Sequence, residues 1–168
     1  MERKAKTAGK VYKHKGNCSW QGVKPTVYKE NGEDGWTHVA RHSLIAGLLG
    51  EQTKFHLRYF EVSPGGYTSL EMHNHEHVVV VIKGQGRVRL GGRTRELGYL
   101  DVAYIGPMEP HRLSNPYGEP FGFFCIVDAL RDRPVPLIRK RGKKELIAIS
   151  ELKILSSMDI NVCPAKKK

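Results

Sequence analysis

Residue types that bind metals recur at every second position in one short run of the chain. Residues 70–78 read Leu-Glu-Met-His-Asn-His-Glu-His-Val, so that Glu71, His73, His75 and His77 are spaced two apart. In an extended strand, alternate side chains point to the same face. The run therefore predicts a strand that directs nitrogen and carboxylate donors to one place, and His111 follows as a further donor.

These donor types indicate a metal site. Imidazole and carboxylate together suit zinc, iron, manganese, nickel or cobalt. The cysteines, Cys18, Cys125 and Cys163, lie far from the run in sequence, which argues against a closed thiolate site. We therefore expect one divalent ion with an open coordination position. Burying these side chains without a cation would be costly, so the competing interpretation is an exposed polar edge.

The middle of the chain has the pattern of an all-β fold. Apolar and polar residues alternate, or β-branched residues cluster, in short segments separated by glycine and proline. Residues 63–66 are predicted to form a tight turn, and Gly91 and Gly92 a hairpin turn. Regularly spaced strands of this kind are typical of a sandwich or barrel. Strands are predicted at residues 55–62, 78–82, 87–90, 93–97, 101–105 and 121–127.

Three segments outside this region are less regular. Residues 38–49 suit either a strand or a short helix, and residues 131–136 are predicted to form a connector broken by proline. Residues 143–158 place leucine and isoleucine three apart, which predicts a helix packed on the barrel or on a second subunit. Residues 146–149 equally suit a strand.

The net charge of +11 lies at the two ends of the chain. Residues 1–15 carry six basic and one acidic side chain, and residues 131–168 carry eleven and four, whereas residues 16–130 are nearly neutral. Basic arms attract nucleic acid, but no aromatic platform or helix-turn-helix pattern accompanies them. We predict a flexible N-terminal arm over 1–15, a barrel domain over 16–130 and a basic extension over 131–168, without a nucleic-acid role.

Length and composition narrow the protein class further. The 168 residues fit one domain with extensions. No apolar run reaches the roughly 18 residues of a membrane span, and the first residues do not read as a secretory signal. The cysteines have no paired spacing, as is usual in a reducing compartment. We therefore expect a cytoplasmic protein.

The spacing of the donors resembles the first signature of the cupin superfamily. Gly65 is followed after five residues by Glu71, after one more by His73, after three by His77 and after six by Gly84. The family signature has the same spacing, with a histidine at the first donor position and a glutamate at the third. These two residue types have traded places in this chain.

The chain also resembles the end of a second signature of the same superfamily, because three residues separate His111 from Asn115. The chain is most similar to the small quercetinase-like cupins of a single domain. The resemblance implies a jelly-roll barrel, the double-stranded β-helix of cupins, with one metal ion near its centre and a homodimeric assembly. By position, the ligands that it implies are Glu71, His73, His77 and His111.

Two residues of this set have further possible roles. His75 falls where the family has a turn between its ligand-bearing strands, so it can replace Glu71 or His77 as a ligand. A Glu71 carboxylate that leaves the metal can also take up a proton and serve as a general base.

An open divalent ion in a small barrel predicts an enzyme that acts on a small oxygenated organic molecule. Dioxygenase chemistry is the first expectation from the resemblance, and isomerase or lyase chemistry is the second. The alternative is a non-catalytic module that binds a small ligand or a metal and reports on it. The expected partners are a small molecule and a second copy of the chain, without a membrane.

Overall fold

Every element of the described chain is a strand. The structure, a computed structural model, describes residues 8–27, 37–131, 135–139 and 146–148. In chain order the strands are β1 (Thr26–Val27), β2 (Thr37–Ile45), β3 (Phe55–Tyr67), β4 (Glu71–Met72), β5 (His77–Lys83), β6 (Gly86–Leu90), β7 (Arg93–Leu97), β8 (Val102–Ile105), β9 (His111–Ser114), β10 (Phe121–Asp128), β11 (Val135–Arg139) and β12 (Leu146–Ala148). Within these residues, no helix is long and apolar enough to cross a membrane.

The strands pair antiparallel and form two halves of one continuous sheet. One half runs β1-β2-β3-β10-β5-β8, and the other runs β7-β6-β9-β4-β11-β12. The end of β3 joins them, because Tyr67 pairs with Ser114 of β9. The result is the nearly closed jelly-roll barrel that the sequence predicts.

The core fills the space between the two halves. Along β10, alternate residues enter this core while Phe124 faces outward, as expected for a strand with one buried face. The buried apolar residues come from both halves: Val39, Phe60, Val62, Val79, Val81, Val88, Leu97, Ala103, Ile105, Leu113, Phe121, Phe123, Cys125 and Val127.

The N-terminal segment packs on the outside of the barrel. The Trp20 ring lies 5.2 Å from that of Tyr59 on β3 and 6.0 Å from that of Phe124 on β10. This outer aromatic cluster covers the face of β3 and β10 that turns away from the core.

The C-terminal extension adds two strands beside β4. Val135 and Pro136 of β11 pair with Met72 and Glu71, and the Leu137 amide donates to the Leu70 carbonyl at 2.7 Å. Residues 135 and 136 are therefore strand, and the prediction of a connector is wrong there. Residues 146–148 take the strand alternative, whereas 143–145 and 149–158 of the predicted helix lie outside the described residues.

The structure corrects the predicted turn at residues 63–66 and decides between strand and helix at residues 38–49. Residues 63–66 do not form the predicted tight turn, because β3 continues through them to Tyr67. Gly65 has a φ of +75°, and a Cβ on Gly66 would lie 2.8 Å from the Thr37 carbonyl oxygen, so these glycines permit a close backbone approach within a strand. For residues 38–49, the structure shows the strand alternative over most of the segment, as β2. The proposed domain boundaries at residues 15 and 131 stay predictions.

Candidate metal centre

The run from Glu71 to His77 is not one strand. Glu71 lies on β4, His77 begins β5, and residues 73–76 form the bend between them. The Met108 amide donates to the His73 carbonyl at 2.7 Å, and this bond fixes the bend against the loop that leads into β9. The expectation of a single extended strand is therefore wrong, and the donors converge because a turn brings them together.

Strand pairing brings His111 to the same interior. Glu71 of β4 and His111 of β9 are direct partners in the antiparallel ladder, and direct partners have side chains on the same face. Leu113, two residues after His111, belongs to the barrel core, so this face points inward. The distant His111 thus reaches the run at residues 71–77.

Three histidines converge inside the barrel. One ring nitrogen each of His73, His77 and His111 lies within 4.8 Å of the others. All three side chains are buried, with exposed fractions of 1 %, 7 % and 2 %. The polar-edge interpretation is therefore wrong for these residues, since such an edge would be exposed.

Hydrogen bonds orient two of these rings. The Nδ1 of His73 lies 2.7 Å from the His75 carbonyl oxygen, and the Nδ1 of His111 lies 2.9 Å from the Glu109 carbonyl oxygen. Because a carbonyl only accepts, each Nδ1 carries the proton and donates, which leaves the Nε2 lone pair available. The His73 Nε2 is buried and has no hydrogen-bond partner. Histidine ligands in metal sites are commonly oriented by such a bond from the other nitrogen.

The third ring is held by a sulfur contact. The Nδ1 of His77 lies 3.7 Å from the Cys125 Sγ, on the neighbouring strand β10. This contact places the Nε2 of His77 on the side of the ring away from Cys125, where it lies 3.0 Å from the His75 Nε2.

Burial keeps the three rings neutral. Loss of solvation lowers the pKa of His73 to about 4, and the neighbouring His111 and His75 lower it further while Glu71 opposes the change. Burial is also the main cause of the lowered pKa values of His77 and His111. A metal ion requires the unprotonated imidazole, so this environment favours the form that binds.

Glu71 and His75 lie beside the three histidines but outside their group. The Glu71 carboxylate is 8 % exposed and accepts a hydrogen bond from the Ser69 hydroxyl. The His75 ring stacks on that of His73, with centroids 3.6 Å apart and planes at 9°. Glu71 as a fourth ligand, and His75 as a replacement for Glu71 or His77, stay predictions.

The donor set fits a divalent metal ion. Three neutral imidazoles and a nearby carboxylate suit zinc, iron, manganese, nickel or cobalt. The unpartnered His73 Nε2 is the specific sign of fit, because a buried polar atom without a partner is costly and a bound ion would satisfy it. His73, His77 and His111 are therefore the residues that could hold the ion.

Two interior residues, Arg58 and Cys125, belong to no motif in the sequence. Both lie inside the barrel, where an Arg58 Nη2 donates to the Cys125 Sγ at 3.3 Å. Alternation along each strand contains the signal, since Arg58 is two residues before the core residue Phe60 and Cys125 two after Phe123. A strand pattern that assigns inward positions would have placed both inside.

The fold and the site define a class: a small antiparallel jelly-roll barrel with a cluster of histidines in its interior. The family model described as Cupin domain (Cupin_2) matches residues 58–127. The chain belongs to the cupin superfamily, as its two signatures indicated.

Individual relatives agree with this assignment. The chain is 39 % identical over 117 residues to a 1-methylthio-D-xylulose 5-phosphate methylsulfurylase from Rhodospirillum rubrum, covering 68 % of this chain and 72 % of that protein. A cupin 2 conserved barrel protein from Rhodopseudomonas palustris has a TM-score of 0.71 at 29 % identity, over 91 % of this chain and 99 % of that chain. The polyketide cyclase RemF from Streptomyces resistomycificus has a TM-score of 0.64 at 28 % identity, over 71 % and 83 %.

Proposed function

We propose that this cupin is a metal-dependent enzyme that acts on a small oxygenated organic molecule. The observation that carries the proposal is the convergence of His73, His77 and His111, with ring nitrogens within 4.8 Å of one another in a buried site. Two of the rings donate from Nδ1 to backbone carbonyls, so their orientation is set before any ion binds.

The chain itself would hold the ion and exclude water. His73, His77 and His111 would supply three neutral donors, and Glu71 would supply a carboxylate as a fourth ligand or as a general base at its Oε atoms. The Ser69 hydroxyl donates to Glu71 and would orient that carboxylate. The apolar core residues Val79 and Ile105 are fully buried and would keep bulk water from the site.

When bound, a divalent ion supplies Lewis acidity that polarises substrate oxygens. The named relatives guide the choice of reaction. One is called a methylsulfurylase of a sugar phosphate and another a polyketide cyclase, and neither name describes an oxygenase. We therefore place isomerase-like or lyase-like chemistry on a polyoxygenated substrate ahead of dioxygenase chemistry for this chain.

The test combines metal reconstitution with a substrate panel. The metal-free full chain would be loaded separately with iron, manganese, nickel, cobalt and zinc. Each form would then be incubated with 1-methylthio-D-xylulose 5-phosphate, simple diketones and flavonols, with and without oxygen. Products would be followed by NMR and oxygen consumption by electrode.

We expect at least one metal form to convert a panel substrate, with a rate that does not depend on oxygen. The His73→Ala variant should lose the activity, whereas His14→Gln, at an exposed position outside the barrel interior, should keep it. Conversion that consumes oxygen would favour the dioxygenase reading. If every metal form leaves every substrate unchanged, the proposal fails and the non-catalytic binding module takes its place.

A further inference from the structure

Arg58 is a charged side chain inside the barrel. It lies on β3 two residues before Phe60 and four before Val62, both members of the core, and it is only 8 % exposed. Its guanidinium carbon lies 5.2 Å from the centre of the Phe60 ring. Arginine keeps its charge in proteins, so this burial places a permanent positive charge in the interior.

The Arg58 charge has no counter-ion among the described residues. No carboxylate of theirs lies within 4.0 Å of the guanidinium, and its buried Nε has no hydrogen-bond partner. One Nη2 donates to the Cys125 Sγ at 3.3 Å, but sulfur is a weak acceptor.

The guanidinium lies close to the three-histidine site. The Cys125 Sγ lies between the two, because it accepts a hydrogen bond from the guanidinium and also lies 3.7 Å from the His77 Nδ1. The carboxylate buried among the described residues, Glu71, accepts a hydrogen bond from Ser69 and forms no ion pair with Arg58 within 4.0 Å. A bound divalent ion would add further positive charge, so this part of the interior favours an incoming anion.

We propose that Arg58 binds an oxyanion of the substrate, a carboxylate or a phosphate monoester, inside the barrel beside the three histidines. The proposal rests on the proposed function and narrows its substrate class to acidic molecules. The Nε and Nη2 of a guanidinium point to the same side and form the fork that engages two oxygens of one anion. In Arg58 the Nε has no partner, and the Nη2 donates only to the weak acceptor Sγ of Cys125.

Stability separates this role from a structural one. A buried charge that ties the fold together is strongly destabilising to remove, whereas a buried charge without a counter-ion is costly to keep. We therefore expect the Tm of metal-free Arg58→Met, measured without added anion, to equal or exceed that of the wild type. A large loss of Tm in this variant would overturn the proposal.

Anion binding to the metal-free full chain is the direct test. Inorganic phosphate, methyl phosphate and glycolate would be titrated by calorimetry at constant ionic strength, with chloride as the inert anion. Arg58→Met and Arg58→Lys would be compared with Arg112→Met. Arg112 also has a buried Nε without a partner, but it stacks on Tyr67 on the face of β9 opposite to His111. The phosphate and carboxylate arms identify which oxyanion the site prefers.

We expect at least one of the three anions to bind the wild type and Arg112→Met equally. Binding should weaken by about tenfold or more in Arg58→Met, because a bidentate charged hydrogen bond is lost. Arg58→Lys keeps the charge and loses the fork, so it should still bind several-fold more weakly than the wild type. Equal binding in the Arg58 variants, or no binding to the wild type, would overturn the proposal.

Failure of the anion site and failure of the proposed function can be told apart. If Arg58 variants bind anions normally while the metal-loaded wild type converts a substrate, only the role of Arg58 fails. If Arg58 binds anions but no metal form converts any substrate, the catalytic proposal fails and the anion site remains.

Discussion

The Nδ1 of each of His73, His77 and His111 contacts a neighbouring atom, which leaves Nε2 as the nitrogen to bind an ion. Backbone carbonyls occupy two of the Nδ1 atoms, and the Cys125 sulfur lies beside the third. An ion site made in this way is organised by the backbone of the bend at residues 73–76 and of the loop before β9. Substitutions that shift this backbone should therefore weaken the site even when they leave the three histidines unchanged.

Acid should destabilise the metal-free protein through these rings. A buried histidine with a lowered pKa stays neutral in the folded state, while the unfolded chain takes up a proton below about pH 6.5. The pKa of His73 is lowered to about 4 in the folded state. Its contribution to the stability of the fold is therefore fully present above the pKa of the unfolded chain and is lost as pH falls towards 4. We expect about 1.4 kcal/mol of lost stability per pH unit for each such ring.

Urea unfolding of the metal-free protein at several pH values between 7.5 and 4.5 would measure this slope. His73→Gln should show a shallower decline, and His14→Gln, at an exposed position, should follow the wild type. Equal slopes for the wild type and His73→Gln would contradict the account.

Gly86 tests the packing at the opposite end of the interior. A Cβ at this position would overlap the ring of Phe121, which is fully buried. We expect Gly86→Ala to lower the free energy of unfolding by about 1–3 kcal/mol. Gly92→Ala is the matched control, because no atom lies within 4 Å of its Cβ position and its φ is not positive. Similar stabilities for the two variants would contradict this packing.

The sequence predicts which histidines form the site better than it predicts the path of the chain between them. Spacing and the family signature selected His73, His77 and His111, and the structure brings these three together. Glu71 lies beside them rather than among them and accepts a hydrogen bond from Ser69, a contact that spacing does not encode. The Nδ1 partners are backbone carbonyls, so residue identity gave no sign of them.

At the scale of elements, the alternation of apolar and polar residues predicts where the strands lie but not where each one ends. The predicted strand over residues 93–97 matches β7, and residues 121–127 fall within β10. Residues 63–66 were misread because proline and glycine are typical of turns, yet here the Gly65 amide bonds the Asn115 carbonyl across strands at 2.8 Å. A pairing between residues fifty positions apart has no local sign in the sequence.

The strand β11 was also missed, because prolines near its start suggested a connector. Pro136 pairs with Glu71 of β4, a strand of only two residues. Leu137 is 5 % exposed and packs with Leu70 and Ala148 in a small cluster outside the main core. The extension therefore supports the strand that carries Glu71.

The stability of a Leu137→Ala variant tests how much β11 contributes to the stability of the barrel. Truncation of a buried leucine costs about 2–5 kcal/mol, and a small cluster with few neighbours places the expected loss at the lower end. Leu130→Ala is the control, since that side chain is 98 % exposed and its loss should change stability by less than about 0.5 kcal/mol. Thermal and urea unfolding of both variants would compare them, and an unchanged Leu137→Ala would show that β11 does not stabilise the barrel.

At the scale of the whole molecule, the buried polar side chains are of two kinds. Some have their hydrogen bonds satisfied, and others keep an atom without a partner. Asn115 is satisfied, since its amide donates to the Val62 and Glu119 carbonyls at 2.8 Å each, and it shapes the turn before β10. His73 and Arg58 instead retain buried nitrogens without partners. Burial without partners lowers stability, so sites of this kind are retained where a ligand compensates for the cost.

Metal binding should therefore stabilise the entire fold. An ion that binds only the folded state at about one hundred times its Kd adds about 2.7 kcal/mol, which corresponds to a Tm increase of roughly 5–10 °C for a chain of this size. This increase should disappear in His73→Ala and His111→Ala, because each variant removes one of the three converging nitrogens.

The most direct measurement of the central claim is the metal content of the tag-free protein after reconstitution and removal of excess ion. Elemental analysis should find one divalent ion per chain in the wild type and in His14→Gln. It should find little or none in a variant that combines His73→Ala with His111→Ala. A wild type that retains no ion after exposure to iron, manganese, nickel, cobalt and zinc, or a double variant that retains one, would contradict the account.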